Sequence, residues 1–186
     1  MKNIQKVLSN IIHESSKIFW VLFKVILPVV IIIRALELLG AIPYLAKYLE
    51  PLTSFIGIDG SLGLVWMAAI LVNIYAGMAA FASLQSIFDY TVAETTILGL
   101  IILIAHSLPI EVAIARQSRV SAIFNLLFRF INAVIAGKIL NYIFIKFDLF
   151  NEPNQSILEI PTSVTSNLDW LILQSKNFLI IFLIIF

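Results

Sequence analysis

His106, Ser107 and Glu111 fall within six positions around Pro109, in the stretch Leu103-Ile-Ala-His-Ser-Leu-Pro-Ile-Glu-Val-Ala-Ile-Ala-Arg-Gln-Ser-Arg119. An imidazole, a hydroxyl and a carboxylate this close can bind a cation or a small polar solute. They can also move a proton, since histidine ordinarily titrates near neutrality. Proline interrupts a running helix and is favoured in the first turn of a new one. A helix ending near His106 would point carbonyl oxygens at the gap, and one beginning at Pro109 would point free N–H groups at the same gap. Two apolar blocks flank the stretch. Ionisable residues inside a bilayer are costly and face a bundle interior, a partner or an aqueous path. Irregular backbone at that depth survives only where protein or cavity water satisfies it. The pattern predicts a membrane helix broken near position 108, with His106, Ser107 and Glu111 as candidate solute- or ion-binding residues. The plainer alternative is a surface loop in which His106 and Glu111 neutralise each other.

The elements that must position these residues are apolar throughout. Of 186 residues 61% are hydrophobic and only 12% charged, with a mean hydropathy of +1.03. Soluble domains average roughly 45–50% apolar and about 25% charged, so a water-soluble fold is excluded. A net charge of +1 excludes a nucleic-acid reader held by bulk charge. With no cysteine and only His13 and His106 as imidazoles, no metal site or cofactor is expected. The fold class is therefore all-α, a polytopic helical membrane protein with broken or re-entrant helices.

Residues 1–17 carry Ile4, Val7, Leu8, Ile11 and Ile12 at helical spacing, which predicts an amphipathic helix lying on the membrane or packed against the bundle. Residues 18–147 make the transmembrane domain. Its first span, 18–39, reaches roughly 33 Å, contains Pro28 and ends at Gly40. Arg34 and Glu37 near its exit form a secondary charged pair, read as an interfacial salt bridge or as a vestibule lining. Residues 41–58 are too polar to span and predict a short interfacial helix bearing Tyr44 and Tyr48. Residues 61–88 are apolar but interrupted by Asn73 and the small run Ala76-Gly-Met-Ala-Ala80, so they form either a re-entrant hairpin or one kinked span. Asn73 is a fourth candidate site residue, or interhelical glue. Thr91-Val-Ala-Glu94 fits a capping box, which gives Glu94 a structural role. Residues 121–147 are the clearest span, with Ala133 and Gly137 as a small-residue packing face. Residues 148–167 read as an exposed polar loop, with a glycosylation-like Asn154-Gln-Ser156, and 168–186 as the start of a further membrane helix.

Lysines at 2, 6 and 17 place the N-terminus in the cytoplasm, and Arg116 with Arg119 belong on the same side. Both hold if one of the segments 61–88 and 91–116 crosses fully and the other turns back. Ser16–Ile26 aligns with Ser175–Ile185 at a constant offset of 159 with five of eleven positions identical, a trace of a second, inverted copy. With the end at Phe186, this suggests a half-unit or fragment.

The Pro-containing first span is followed by Gly40-Ala-Ile-Pro43, Pro51-Leu-Thr-Ser-Phe-Ile-Gly57, the break at Asn73–Ala80 and the turn His106-Ser-Leu-Pro-Ile-Glu111. Over roughly residues 16–145 this layout resembles the Gate, or nucleoside recognition, domain. That domain is shared by concentrative nucleoside transporters, ferrous-iron transporter B and the spore maturation A and B membrane proteins. The resemblance implies a plasma-membrane (inner-membrane) protein of a bacterium or archaeon, with broken helices in inverted repeats, that moves a small solute or ion. It also implies a homodimer or a second Gate-domain chain as partner. It leaves the substrate open. No Walker-type loop is present, so the chain is not a whole iron transporter. The expected function is a transporter module with a midplane site at Asn73, His106, Ser107 and Glu111. The rival is a non-transporting membrane scaffold or assembly partner. An enzyme is not expected, because acid–base chemistry would need Asp89 or Arg129 brought beside His106.

Overall fold

The computed structural model describes residues 2–154, apart from 86 and 118, and scattered residues between 168 and 176. Among the described residues seven helices follow in order: α1 (Lys2–Leu38), α2 (Ile42–Ile56), α3 (Leu62–Leu71), α4 (Ile74–Leu84), α5 (Val92–Ile104), α6 (Leu108–Gln117) and α7 (Ala122–Phe147). The fold is all-α. Among the described residues the sole β feature is an isolated antiparallel bridge between Thr91 and Pro153.

Among the described residues three stretches are long and apolar enough to cross a membrane: His13–Leu38, Val92–Arg116 and Ala122–Phe147. The expected boundary between residues 17 and 18 falls inside α1, one continuous helix, because no glycine or proline precedes Pro28 to interrupt it. The helix ends where expected. Gly40 takes a left-handed backbone conformation, and the N–H groups of Gly40 and Ala41 bond the carbonyls of Glu37 and Leu36. α2 ends the same way at Gly57, with Tyr44 and Tyr48 exposed on its surface.

Segment 61–84 turns back on itself. α3 and α4 are separated by only Val72 and Asn73, and Asn73 is fully extended. A Cβ added to Gly77 would lie 2.8 Å from the Cβ of Ala69, four residues on the other side of the turn. α4 thus lies back along α3, and Gly77 permits the close approach. Each arm spans roughly 15 Å, about half the hydrocarbon thickness. The segment is a re-entrant hairpin.

α5 and α6 behave differently. Gly137 of α7 lies against Ile97 and Ile101, Arg129 reaches Ile104 and Glu111, and Asn125 reaches Glu111. As the chain runs forward from Ile97 to Glu111, its neighbours on α7 run steadily backward. α6 therefore continues the direction of α5 past the break, and 92–117 makes one traverse antiparallel to α7. Of the two broken segments, 92–117 thus runs through the bundle and 61–84 returns.

The hairpin and α5 enter from one side. The N–H of Asp59 donates to Glu94, and Ser61 shares a 2.7 Å hydrogen bond with Tyr90. The predicted capping box at Thr91 and Glu94 is present. The start of the polar loop is tied down on the same side, since the N–H groups of Val92 and Ala93 donate to the carbonyls of Glu152 and Phe150. Residues 155–167 and most of the expected segment 168–186, including the aligned 177–185, lie outside the described residues. The core lies between α3, α5 and α7, where Val65, Trp66, Ile97, Ile101 and Ala133 are buried, while α1 packs on α4 through Ile26 and Val30 against Ala79.

Candidate functional site

α5 ends at Ile104 and α6 begins at Leu108, so helix is abandoned at Ala105–Ser107. This point lies thirteen residues, roughly 20 Å, into the traverse from Val92. The carbonyls freed by a helix end need partners in an apolar setting, and here side chains supply them. His106 Nδ1 stands 2.9 Å from the Ile102 oxygen. Arg129 Nε donates to the Ile104 oxygen at 2.9 Å. Trp66 Nε1 donates to the Ala105 oxygen at 3.3 Å, with its ring stacked on Phe130.

The hairpin joins the break through backbone. Ser107, at φ 50, turns its N–H onto the Ala69 carbonyl of α3 at 2.9 Å. Its own carbonyl accepts from Ile110 and Glu111, which starts α6. Asn73 sits one turn beyond Ala69 at the hairpin tip. Its Oδ1 accepts from the Ala76 N–H at 3.0 Å and caps α4.

His106, Ser107 and Glu111 therefore share the break, and Asn73 tops the hairpin bonded to it. The pairing of His106 with Glu111 is not found. Glu111 Oε2 instead lies 2.9 Å from Arg129 NH1, because α7 carries the guanidinium alongside the first turn of α6. Arg34 and Glu37 do pair, at 2.8 Å, but near the terminus of α1 rather than at the depth of the break.

Each of the four candidate residues spends one polar group on the scaffold and retains another. A carbonyl oxygen only accepts, so His106 Nδ1 carries the hydrogen to Ile102 and Nε2 is left. Asn73 keeps its Nδ2 group, Ser107 its hydroxyl, and Glu111 its second carboxylate oxygen. None of these has a hydrogen-bond partner among the described residues. Arg129 and Trp66 are the residues sequence reading did not place in the site. A cation well inside the apolar segment 121–147 was the available signal for Arg129, whereas nothing in the sequence marks Trp66. No group of three or more metal-ligating side chains occurs among the described residues.

Among the described residues, three apolar stretches long enough to cross a membrane, one of them broken, and a half-depth hairpin, stitched together by satisfied backbone groups, define an integral membrane protein of all-α fold. The comparison with known proteins agrees. Over 98 residues the chain is 29% identical to a Bacillus subtilis (strain 168) protein described as the uncharacterized membrane protein YvoD. The match covers 53% of this chain and 30% of that protein. No family model matches the chain, and no solved structure matches it.

Proposed function

We propose that the chain is a transport module for a small solute or ion, bound where the hairpin tip meets the broken helix. The observation that carries this reading is the set of retained polar groups on Asn73, His106, Ser107 and Glu111, gathered around helix ends at about half the depth of the bilayer. Discontinuous helices with such ends form the midplane sites of many secondary transporters. The Gate-domain resemblance supports the same reading and adds a plasma-membrane location, inverted repeats and a paired unit. Three crossings would leave the lysine-rich N-terminus and Arg116–Arg119 on one side, which supports a cytoplasmic N-terminus.

The competing reading is a membrane scaffold that assembles with a partner, favoured by the fact that His106, Arg129 and Trp66 already satisfy the broken backbone. An acid–base enzyme is the weaker alternative. Arg129 does reach the break, but as a permanent cation held on Glu111 and Ile104, not as a proton carrier facing His106.

Purified protein in liposomes, loaded with a pH dye and challenged with sodium, potassium and magnesium gradients, separates these readings. A transport module gives flux that falls at least tenfold in His106→Ala and Glu111→Ala while both variants stay folded. Flux unchanged in both variants overturns the site. Absence of flux, with variants that fail in expression or assembly, favours the scaffold.

A further inference from the structure

On α7, Asn125, Phe128, Asn132, Ile135, Ile139 and Tyr142 recur in alternating steps of three and four. All but the half-buried Asn125 are exposed, from 49% at Ile135 to 62% at Tyr142 among the apolar four. The row runs roughly 26 Å along the helix. Alternating threes and fours average 3.5 residues, the period at which two helices wind around each other with a left-handed twist.

One member of the row does not suit lipid. Asn132 lies ten residues in from Ala122, roughly 15 Å along the helix and close to the bilayer centre. Its Nδ2 donates to the Phe128 carbonyl at 2.6 Å. Its Oδ1 has no partner among the described residues. An amide oxygen left bare in hydrocarbon is costly. A carboxamide both donates and accepts, so it is complementary to a copy of itself. The nearby charges do not oppose such a contact, because Arg129 and Glu111 neutralise each other beside it.

We propose that this row is the interface with a second copy of the chain, the two α7 helices running parallel with Asn132 facing the partner's Asn132. Two copies inserted with the same topology are related by an axis along the membrane normal, which brings equivalent positions of α7 to equal depth. A buried asparagine in such a seam fixes register and pairing. The inference stands whether or not the chain moves a solute.

The absence of cysteine makes the test direct. Single-cysteine variants are purified, placed in phosphatidylcholine–phosphatidylglycerol liposomes and oxidised with copper phenanthroline. Phe128→Cys, Asn132→Cys, Ile135→Cys and Ile139→Cys are expected to give covalent dimers, and Ile131→Cys and Lys138→Cys monomers. Asn132→Leu should weaken association measured by energy transfer about tenfold, with recovery in Asn132→Gln. No dimer at 132, or equal dimer at 131 and 138, overturns the proposal. Labelling of Asn132→Cys by a membrane-impermeant maleimide also overturns it, since the row would then line water.

Discussion

Arg129 and Glu111 stand 2.9 Å apart across α6 and α7, and the same guanidinium holds the last carbonyl of α5 through Nε. One side chain thus braces both halves of a helix that its own backbone cannot join. Losing it frees the Ile104 carbonyl and leaves the carboxylate unpaired.

Arg129→Ala is therefore expected to cost more than Glu111→Gln. The bare carbonyl alone is worth about 1–3 kcal/mol. Stranding the Glu111 carboxylate adds to this, because an unpaired charge inside the apolar traverse is costly. Arg129→Lys, which keeps charge but loses the forked geometry, should fall between the two. Thermal unfolding in detergent micelles checks the order. Equal losses in Arg129→Ala and Glu111→Gln, with Arg129→Lys close to wild type, would mean that the charge pair, and not the brace, dominates.

The hairpin makes a separate steric prediction. Gly77→Ala places a methyl 2.8 Å from Ala69 Cβ, too close for two carbons without movement. Overpacking of this kind costs about 1–3 kcal/mol. Ala69→Gly on the same background should restore most of the loss, although it is itself neutral to unfavourable in a helix. A double variant no more stable than Gly77→Ala would place the strain elsewhere than between α3 and α4.

What the sequence made legible here was local chemistry. Pro109 after an apolar run marks the start of α6, Thr91 and Glu94 mark the start of α5, and Gly40 and Gly57 mark the ends of α1 and α2, each within a few residues of what it governs. What it withheld depends on packing. Glu111 is near His106 in the chain, yet its partner is Arg129 eighteen positions on, because the antiparallel path of α6 and α7 sets the neighbours. The Ser107–Ala69 bond joins two backbones and carries no residue signature at all. The choice between hairpin and traverse was open for the same reason: a kink and a reversal demand similar residues. The change in composition near residue 17 leaves α1 continuous, because a helix without breakers runs through it.

Tyr90 links stability to pH on the side of the membrane where the hairpin enters. It is buried, 3% exposed, with its hydroxyl on Ser61. Burial pushes the phenol above its ordinary value, Asp59 and Glu94 add to the rise, and the Ser61 hydrogen bond acts the other way. Folding thus favours the neutral phenol. This contribution is complete below the unfolded value of about 10 and is lost as pH rises through the folded value. Tyr90→Phe should cost about 1 kcal/mol at pH 7 for the missing hydrogen bond. The gap in melting temperature between wild type and Tyr90→Phe should narrow above about pH 10. A gap constant to higher pH would show that Tyr90 ionises without penalty.

Asn73 allows structural and solute-binding roles to be separated, because they use different atoms. Oδ1 caps α4, while Nδ2 is the atom left over at the hairpin tip. Asn73→Ala removes both and should lower stability by about 1 kcal/mol, the usual worth of such a cap. Asn73→Ser retains an oxygen at capping distance but has no amide, so stability should stay within a few tenths of a kcal/mol of wild type. If the amide also contacts the solute, Asn73→Ser and Asn73→Ala should reduce flux alike despite their different melting temperatures. If flux instead follows melting temperature across the pair, Asn73 serves only to start α4, and the site narrows to His106, Ser107 and Glu111.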